Sequence, residues 1–188
     1  DVYKRQEDPL REEAADAVRE LKEAGITKVV MMTGDSERTA AAIAKRVGVD
    51  EYYSEVLPED KASFVEKEKE LGHKVIMIGD GINDSLALSS ASVGIAISDG
   101  AAIAREIADV TISADNLHEI VTLKRLSTAL MKRIHNNYRT IIGINGGLIA
   151  LGVTGIIMPT TSALLHNMST LTISLRSMRN LLPKEEKA

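Results

Sequence analysis

From Thr140 to Leu175 the chain carries no Asp, Glu, Lys or Arg, a run of 36 residues, while residues 1 to 139 are dense in all four. No single environment suits both compositions. The first part belongs in water, and the second asks for apolar surroundings. The run is too long for one bilayer crossing and suits two, each needing roughly 17–25 residues. "MPTTS" (Met158 to Ser162) supplies the break, and Pro159 is expected to end the first helix, because proline disrupts a helix interior. Lys132, Arg133 and Arg139 flank one side of this hairpin, and Arg176, Arg179 and Lys184 the other. The bias of Lys and Arg toward the cytoplasm puts both ends inside and the turn outside. The expectation is an all-α transmembrane hairpin over 140–182, with a linking helix over 116–139 before it and a cytoplasmic tail over 183–188 after it. The protein is then a multi-pass protein of the plasma membrane, with residues 1–139 and 183–188 cytoplasmic. The alternative is a helical hairpin buried in a soluble core.

Residues 8 to 115 have a different rhythm. "EDPLREEAADAVRELKEAG" reads as a helix: Asp8 can cap it, Pro9 sits in its first turn and Gly25 ends it. Leu10, Ala14, Ala17, Val18 and Leu21 form its apolar stripe. Strands at "ITKVVMM", "EYYSEVL", "KVIMI", "VGIAI" and "VTI" alternate with helices at "ERTAAAIAKRVG", "PEDKASFVEKEKELG", "NDSLALSSA" and "AAIAREIA". That alternation predicts a parallel, doubly wound α/β sheet, whose active site lies beyond the carboxyl ends of the strands. Asp35 and Asp80 both fall at such ends, on strands expected to be neighbours. A net charge of −4 gives no reason to expect nucleic acid as a partner, and the absence of Cys excludes disulfides and thiolate metal sites within these residues. The opening "DVYKRQ" has neither periodicity nor a signal pattern. Residues 1–7 are read as a non-native or disordered junction, and the chain as a piece of something larger.

The chemistry concentrates in "GDGIND" (Gly79 to Asp84). Its glycines let the backbone approach a ligand closely. Asp80 and Asp84 offer the hard oxygens that Mg²⁺ accepts from one or two carboxylates plus a phosphate. Asn83 can donate to a phosphoryl oxygen. In "TGD", Thr33 and the Gly34 amide could hold a phosphoryl oxygen, with Asp35 capping the helix that follows; alone, the string is as readily a cap as a site. Lys61 in "LPEDKAS" is the cation a phosphate site needs opposite its acids.

"TGD", "PEDK" and "GDGINDSLAL", in this order and spacing, resemble the phosphorylation domain of P-type ATPases, which has a Rossmann-like, haloacid dehalogenase-type fold. The short connection to a closing helical pair resembles the heavy-metal branch of those pumps. The resemblance implies that Asp80 binds Mg²⁺, that Asp84 completes the magnesium loop, and that Thr33 and Lys61 contact an aspartyl phosphate. It implies ATP as the phosphoryl donor, bound mainly by another domain, and the remaining domains of a parent pump as partners. The family's nucleophile, the Asp of "DKTGT", does not occur in these 188 residues. The sheet is then partial, and the piece should be inactive alone.

Polar groups within the hairpin are suspects for the ion path, since such groups at bilayer depth face a cavity or a bundle interior. Asn145, His166, Asn167, Ser169 and Thr170 qualify, with His166, Asn145, Ser169 and Thr170 the candidate ligands of the transported cation. Hydroxyls that bond back to their own helix are the alternative for Ser169 and Thr170. Gly143, Gly146, Gly147, Gly152 and Gly155 suit close helix packing. "HNMST" resembles the His-bearing version of the family's motif, with Asn167 where an acid would follow. Imidazole and oxygen donors suit a divalent cation (zinc, cobalt, iron, nickel, manganese or cadmium) better than Cu(I). The expected function is ATP-driven export of a divalent transition metal. The rivals are a soluble phosphatase of the same superfamily and a membrane-tethered module with a degenerate phosphate site.

Overall fold

The computed structural model describes residues 10, 13–79, 82–97, 102–112 and 116–181. The chain divides into two compact units, residues 1–122 and 123–188.

In the first unit, helix α1 (Ala14–Glu23) buries Ala14 and Ala17 and half-buries Val18 and Leu21, as the stripe requires. Gly25, at φ +94°, closes it in the left-handed region that favours glycine, its N–H donating to Lys22 O at 3.0 Å. The expected cap at Asp8 and Pro9 lies outside the described residues. Then follow β1 (Val30–Met32), α2 (Glu37–Val47), β2 (Glu51–Tyr53), α3 (Pro58–Glu70) and β3 (Ile76–Gly79). A 3-10 turn (Ile82–Asp84) leads into α4 (Ser85–Ser90), followed by β4 (Val93–Ile97), α5 (Ala102–Ile107) and β5 (Val110–Ile112). Every strand pairing is parallel, as expected of strands joined by helical crossovers.

The strands form two sheets, however. β1 pairs with β2 (Val30 opposite Glu51), and β3, β4 and β5 form the other, with Ile76 opposite Val93 and Ile95 opposite Val110. The expectation that the strands before Asp35 and Asp80 are neighbours is therefore corrected: β1 and β3 each keep an edge that no described strand pairs. The core of the three-stranded sheet is α4 on β4, where Leu88 and Ala96 are buried against Met77 and Ala108. Gly94 makes this approach possible, since a Cβ there would sit 2.6 Å from the Leu88 carbonyl oxygen.

The expected linking helix and the first hairpin helix are one helix, α6 (His118–Val153), most of it in the second unit. It stops without proline. Gly155 turns at φ +73°, its N–H donating to Gly152 O and that of Ile156 to Leu151 O, both at 3.0 Å. Pro159 instead opens α7 (Pro159–Ser177) at its first position, where the missing N–H costs nothing. No helix among the described residues is long and apolar enough to cross a membrane. The uncharged part of α6, Thr140 to Val153, measures about 21 Å at 1.5 Å per residue, short of the roughly 30 Å hydrocarbon layer. In α7, eight Ser and Thr lower the hydropathy. Nor do Gly143, Gly146, Gly147 and Gly152 pack closely against any of the described residues: among these, a Cβ at any of the four would meet nothing within 4 Å.

Candidate active site

The end of β1 is tied to the end of β2. Thr33 N–H donates to Tyr53 O, and Thr33 O accepts from Val56 N–H, both at 3.0 Å. Glu55, between them, turns in the left-handed region at φ +52°, uncommon for a residue with a side chain, and its N–H donates to Asp35 O at 2.9 Å. The hydroxyl of Thr33 donates to Asp35 Oδ2 at 3.0 Å and accepts from Asp35 N–H at 3.1 Å. Asp35 therefore does not cap α2, as "TGD" suggested. Ser36 occupies the N-cap position and makes no side-chain cap bond to the backbone; its hydroxyl lies 3.2 Å from that of Thr39.

From the other side comes α3. Pro58 opens it, and the Asp60 carboxylate accepts from Leu57 N–H at 3.1 Å. Leu57 has no acceptor to return the bond. Lys61, in the first turn, donates from Nζ to Asp84 Oδ1 at 2.8 Å, the two side chains being only 15% and 11% exposed. Asp84 closes the 3-10 turn and packs on Gly79, where a Cβ would lie 2.6 Å from that of Asp84.

These groups meet in a cleft of about 380 Å³ lined by Met32, Thr33, Gly34, Lys61, Met77, Ile78, Gly79, Asp84 and Ile97. It opens at the carboxyl ends of β1, β3 and β4, where the alternation of elements put it. The structure thus brings together Thr33, Gly34, Lys61 and Asp84. Asn83 is exposed in the 3-10 turn and is not one of the lining residues. Asp80 lies outside the described residues. The sequence reading missed the direct Lys61–Asp84 pair and the apolar walls Met32, Met77 and Ile97. The GDG string was the available signal for Gly79, whose missing side chain admits Asp84. Among the described residues no group of three His, Cys, Asp or Glu could hold a metal.

In the second unit, His166 Nδ1 and Asn145 Oδ1 are 2.9 Å apart, joining α7 to α6. Both line a cleft of about 650 Å³ with Leu148, Ile149, Val153, Ile157, Ser162 and neighbours. Ser169 and Thr170 stand apart from this contact: their hydroxyls donate to the His166 carbonyl at 2.7 and 3.0 Å.

The first unit is a parallel α/β domain with a cation facing a carboxylate beyond its strand ends, and residues 1–92 match the haloacid dehalogenase-like hydrolase family. The likeness extends well past that domain. The chain is 37% identical over 173 residues to the zinc-exporting P-type ATPase of Mycobacterium marinum, covering 92% of this chain and 24% of that one. It is 38% identical, with the same coverage, to the manganese-exporting P-type ATPase of Mycobacterium bovis. The crystal structure of a zinc-transporting PIB-type ATPase in its E2.Pi state matches 94% of this chain and 28% of its own, at TM-score 0.85 and 34% identity. Over 92% of its length the chain is similar to heavy-metal P-type ATPases, and it spans about a quarter of the length of the curated relatives it matches.

Proposed function

We propose that this chain is the part of a heavy-metal-exporting P-type ATPase that grips the phosphoryl group and lines part of the ion path. The observation that carries the reading is the convergence of Thr33, Gly34, Lys61 and Asp84 on one cleft, in a chain similar to metal exporters along 92% of its length. A soluble phosphatase explains the cleft but not a likeness that continues through α6 and α7.

Phosphoryl transfer depends chiefly on positioning and charge neutralisation. Lys61 is the group that would meet phosphoryl oxygens from one side, and the Thr33 hydroxyl and Gly34 amide from the other. Asp84 holds Lys61 in place until they arrive. The donor chemistry fits Mg²⁺: Asp84 is a hard oxygen ligand lining the cleft, and Mg²⁺ takes one or two carboxylates plus a phosphate rather than a cage of acids. Asp84, with Asp80, would hold it, and when bound it offsets phosphoryl charge. The nucleophile we assign to the remaining parent protein, on a strand entering between β1 and β3. In support, both strands have an edge at the cleft that no described strand pairs, and Ile76 and Ile78 of β3 are 41% and 36% exposed. ATP would be bound mainly by that same remainder.

For α6 and α7 we infer a membrane hairpin with both ends cytoplasmic, in the plasma membrane. Its charge-free sequence and exposed Ile149, Val153 and Leu164 support this. Its hydroxyls are less polar than composition suggests. Those of Thr140, Thr154, Ser169, Thr170, Thr172 and Ser177 all donate to carbonyls one turn back. The cargo is a divalent cation such as zinc or manganese, with His166 its ligand, since imidazole suits that class.

The test is ATP-dependent zinc or manganese uptake into inverted vesicles carrying the full-length parent, wild type and Asp80→Asn. Uptake by the wild type, lost with the phosphoenzyme in the variant, is expected. Hydrolysis of small phosphate esters without uptake of any divalent metal would return the reading to a phosphatase.

A further inference from the structure

We propose that Asn145 is a positioning residue that fixes the tautomer of His166, so that Nε2 is the ring nitrogen offered to the transported cation. The proposal rests on the reading that His166 faces the ion path.

The argument begins with what each atom can do. An amide oxygen has no hydrogen to give, so in the 2.9 Å contact His166 Nδ1 must carry the hydrogen and donate to Asn145 Oδ1. In a neutral imidazole the lone pair then sits on Nε2, which has no hydrogen-bond partner among the described residues. A metal binds a ring nitrogen through its lone pair, and a ligating His nearly always donates its other N–H to an oxygen that orients the ring. The Asn145–His166 pair has that form with no metal required to make it. The cleft around them gives the ring little choice of partner. Its other walls include Leu148, Ile149, Val153 and Ile157, and among the described residues Ser162 is its only further polar side chain.

The same geometry revises the role of Asn145. Its oxygen already accepts from Nδ1, so Asn145 acts on the cation through His166 rather than as a ligand of its own. The Ser169 and Thr170 hydroxyls, both on the His166 carbonyl, brace the turn that carries the ring.

Zinc alone is the probe, titrated at equilibrium against the purified full-length parent. Asn145→Leu should weaken zinc binding by about 10- to 100-fold, the usual effect of removing an orienting acceptor, and His166→Ala should abolish binding at this site. A second readout is one that a packing role would not move: the ¹⁵N spectrum of histidine-labelled parent, with the His166 signals identified by their loss in His166→Gln. The wild type should show His166 protonated on Nδ1 alone, Asn145→Asp should keep that form, and Asn145→Leu should show both tautomers. Wild-type protein with the hydrogen on Nε2 overturns the proposal whatever the variants do. Wild-type zinc affinity in Asn145→Leu, with binding lost in His166→Ala, also overturns it but leaves the cargo reading standing. Unchanged affinity in His166→Ala removes the cargo reading and the proposal with it.

Discussion

Gly79 and Asp84 touch so closely that a methyl group on Gly79 would lie 2.6 Å from the Asp84 Cβ and 2.9 Å from its Oδ2. Asp84 in turn is the partner of Lys61 at 2.8 Å. A side chain at the end of β3 would therefore act on a lysine that belongs to α3. Gly79→Ala should destabilise the domain by about 1–3 kcal/mol, the usual cost of overpacking, and should also weaken phosphoenzyme formation in the parent by displacing Lys61. Urea unfolding and phosphorylation assays measure the two effects. Stability equal to wild type would show that the 3-10 turn yields freely.

The Lys61–Asp84 pair makes a second prediction through its low exposure. Removing one partner leaves the other charge largely desolvated, so Lys61→Met and Asp84→Asn should differ in consequence. Lys61→Met strands a carboxylate and should cost about 3 kcal/mol. Asp84→Asn leaves a lysine that can still reach outward along its stem and should cost less. The double variant should be more stable than the sum of the two losses implies, because neither charge is then left alone. A double-mutant cycle by denaturation gives the coupling, and a coupling near zero would mean the pair is solvated.

Which parts of this were legible in the sequence follows from how far each signal reaches along the chain. Strand ends and the helix stop at Gly25 are local, and the structure has them where the residues put them. Sheet order is not local: nothing in "VVMM" or "KVIMI" says whether a third strand belongs between them. Proline is ambiguous because it suits a helix start as well as it breaks an interior, and Pro159 does the former while Gly155 makes the turn. "TGD" offers two acceptors for one helix, and the Thr33 hydroxyl decides that Asp35 turns away from the cap. The Asn145–His166 bond joins two helices, so helical spacing along either could not reveal it.

Acid should destabilise the first unit through surface carboxylates. The Lys22 ammonium, then the Val29 N–H, holds Asp50 below its ordinary 3.8. The Ser54 and Tyr52 hydroxyls hold Glu37 below 4.5, and His73 does the same for Glu68. Because these values are depressed on folding, the stabilisation is present above the unfolded values and is lost as pH falls through 4.5 and 3.8 and below. Lys28 has the opposite sign. Its hydrogen bond to Glu51 raises it, so its contribution is lost only as pH rises beyond 10.5. Urea midpoints measured against pH should stay level near neutrality and fall on the acid side, less steeply in Asp50→Asn. An unchanged acid slope in that variant would assign the loss elsewhere.

At the end of the hairpin opposite its turn, α7 is clamped to α6. The Arg133 guanidinium donates to the carbonyls of Ser177, Arg179 and Asn180, at 2.8, 2.5 and 3.2 Å, and Asn137 Nδ2 donates to Ser177 Oγ at 2.7 Å. A cation at a helix C-terminus meets both its unpaired carbonyls and its dipole, so α7 ends fastened to α6 beside Arg176 and Arg179. Those are the residues that the Lys and Arg bias assigns to the cytoplasm. Thr160, in the first turn of α7, lies at the far end of that helix, about 25 Å along the axis at 1.5 Å per residue. If the hairpin is a membrane pair, Thr160 is outside. The chain has no Cys, so with the parent's other cysteines replaced, Thr160→Cys gives a single reporter. It should react with an impermeant thiol reagent from the outer face of intact cells, whereas Ser177→Cys should react only after permeabilisation. Labelling of both from the same side would mean that α6 and α7 lie on one side of the bilayer, and the charge-free run would then have to be covered by protein rather than lipid.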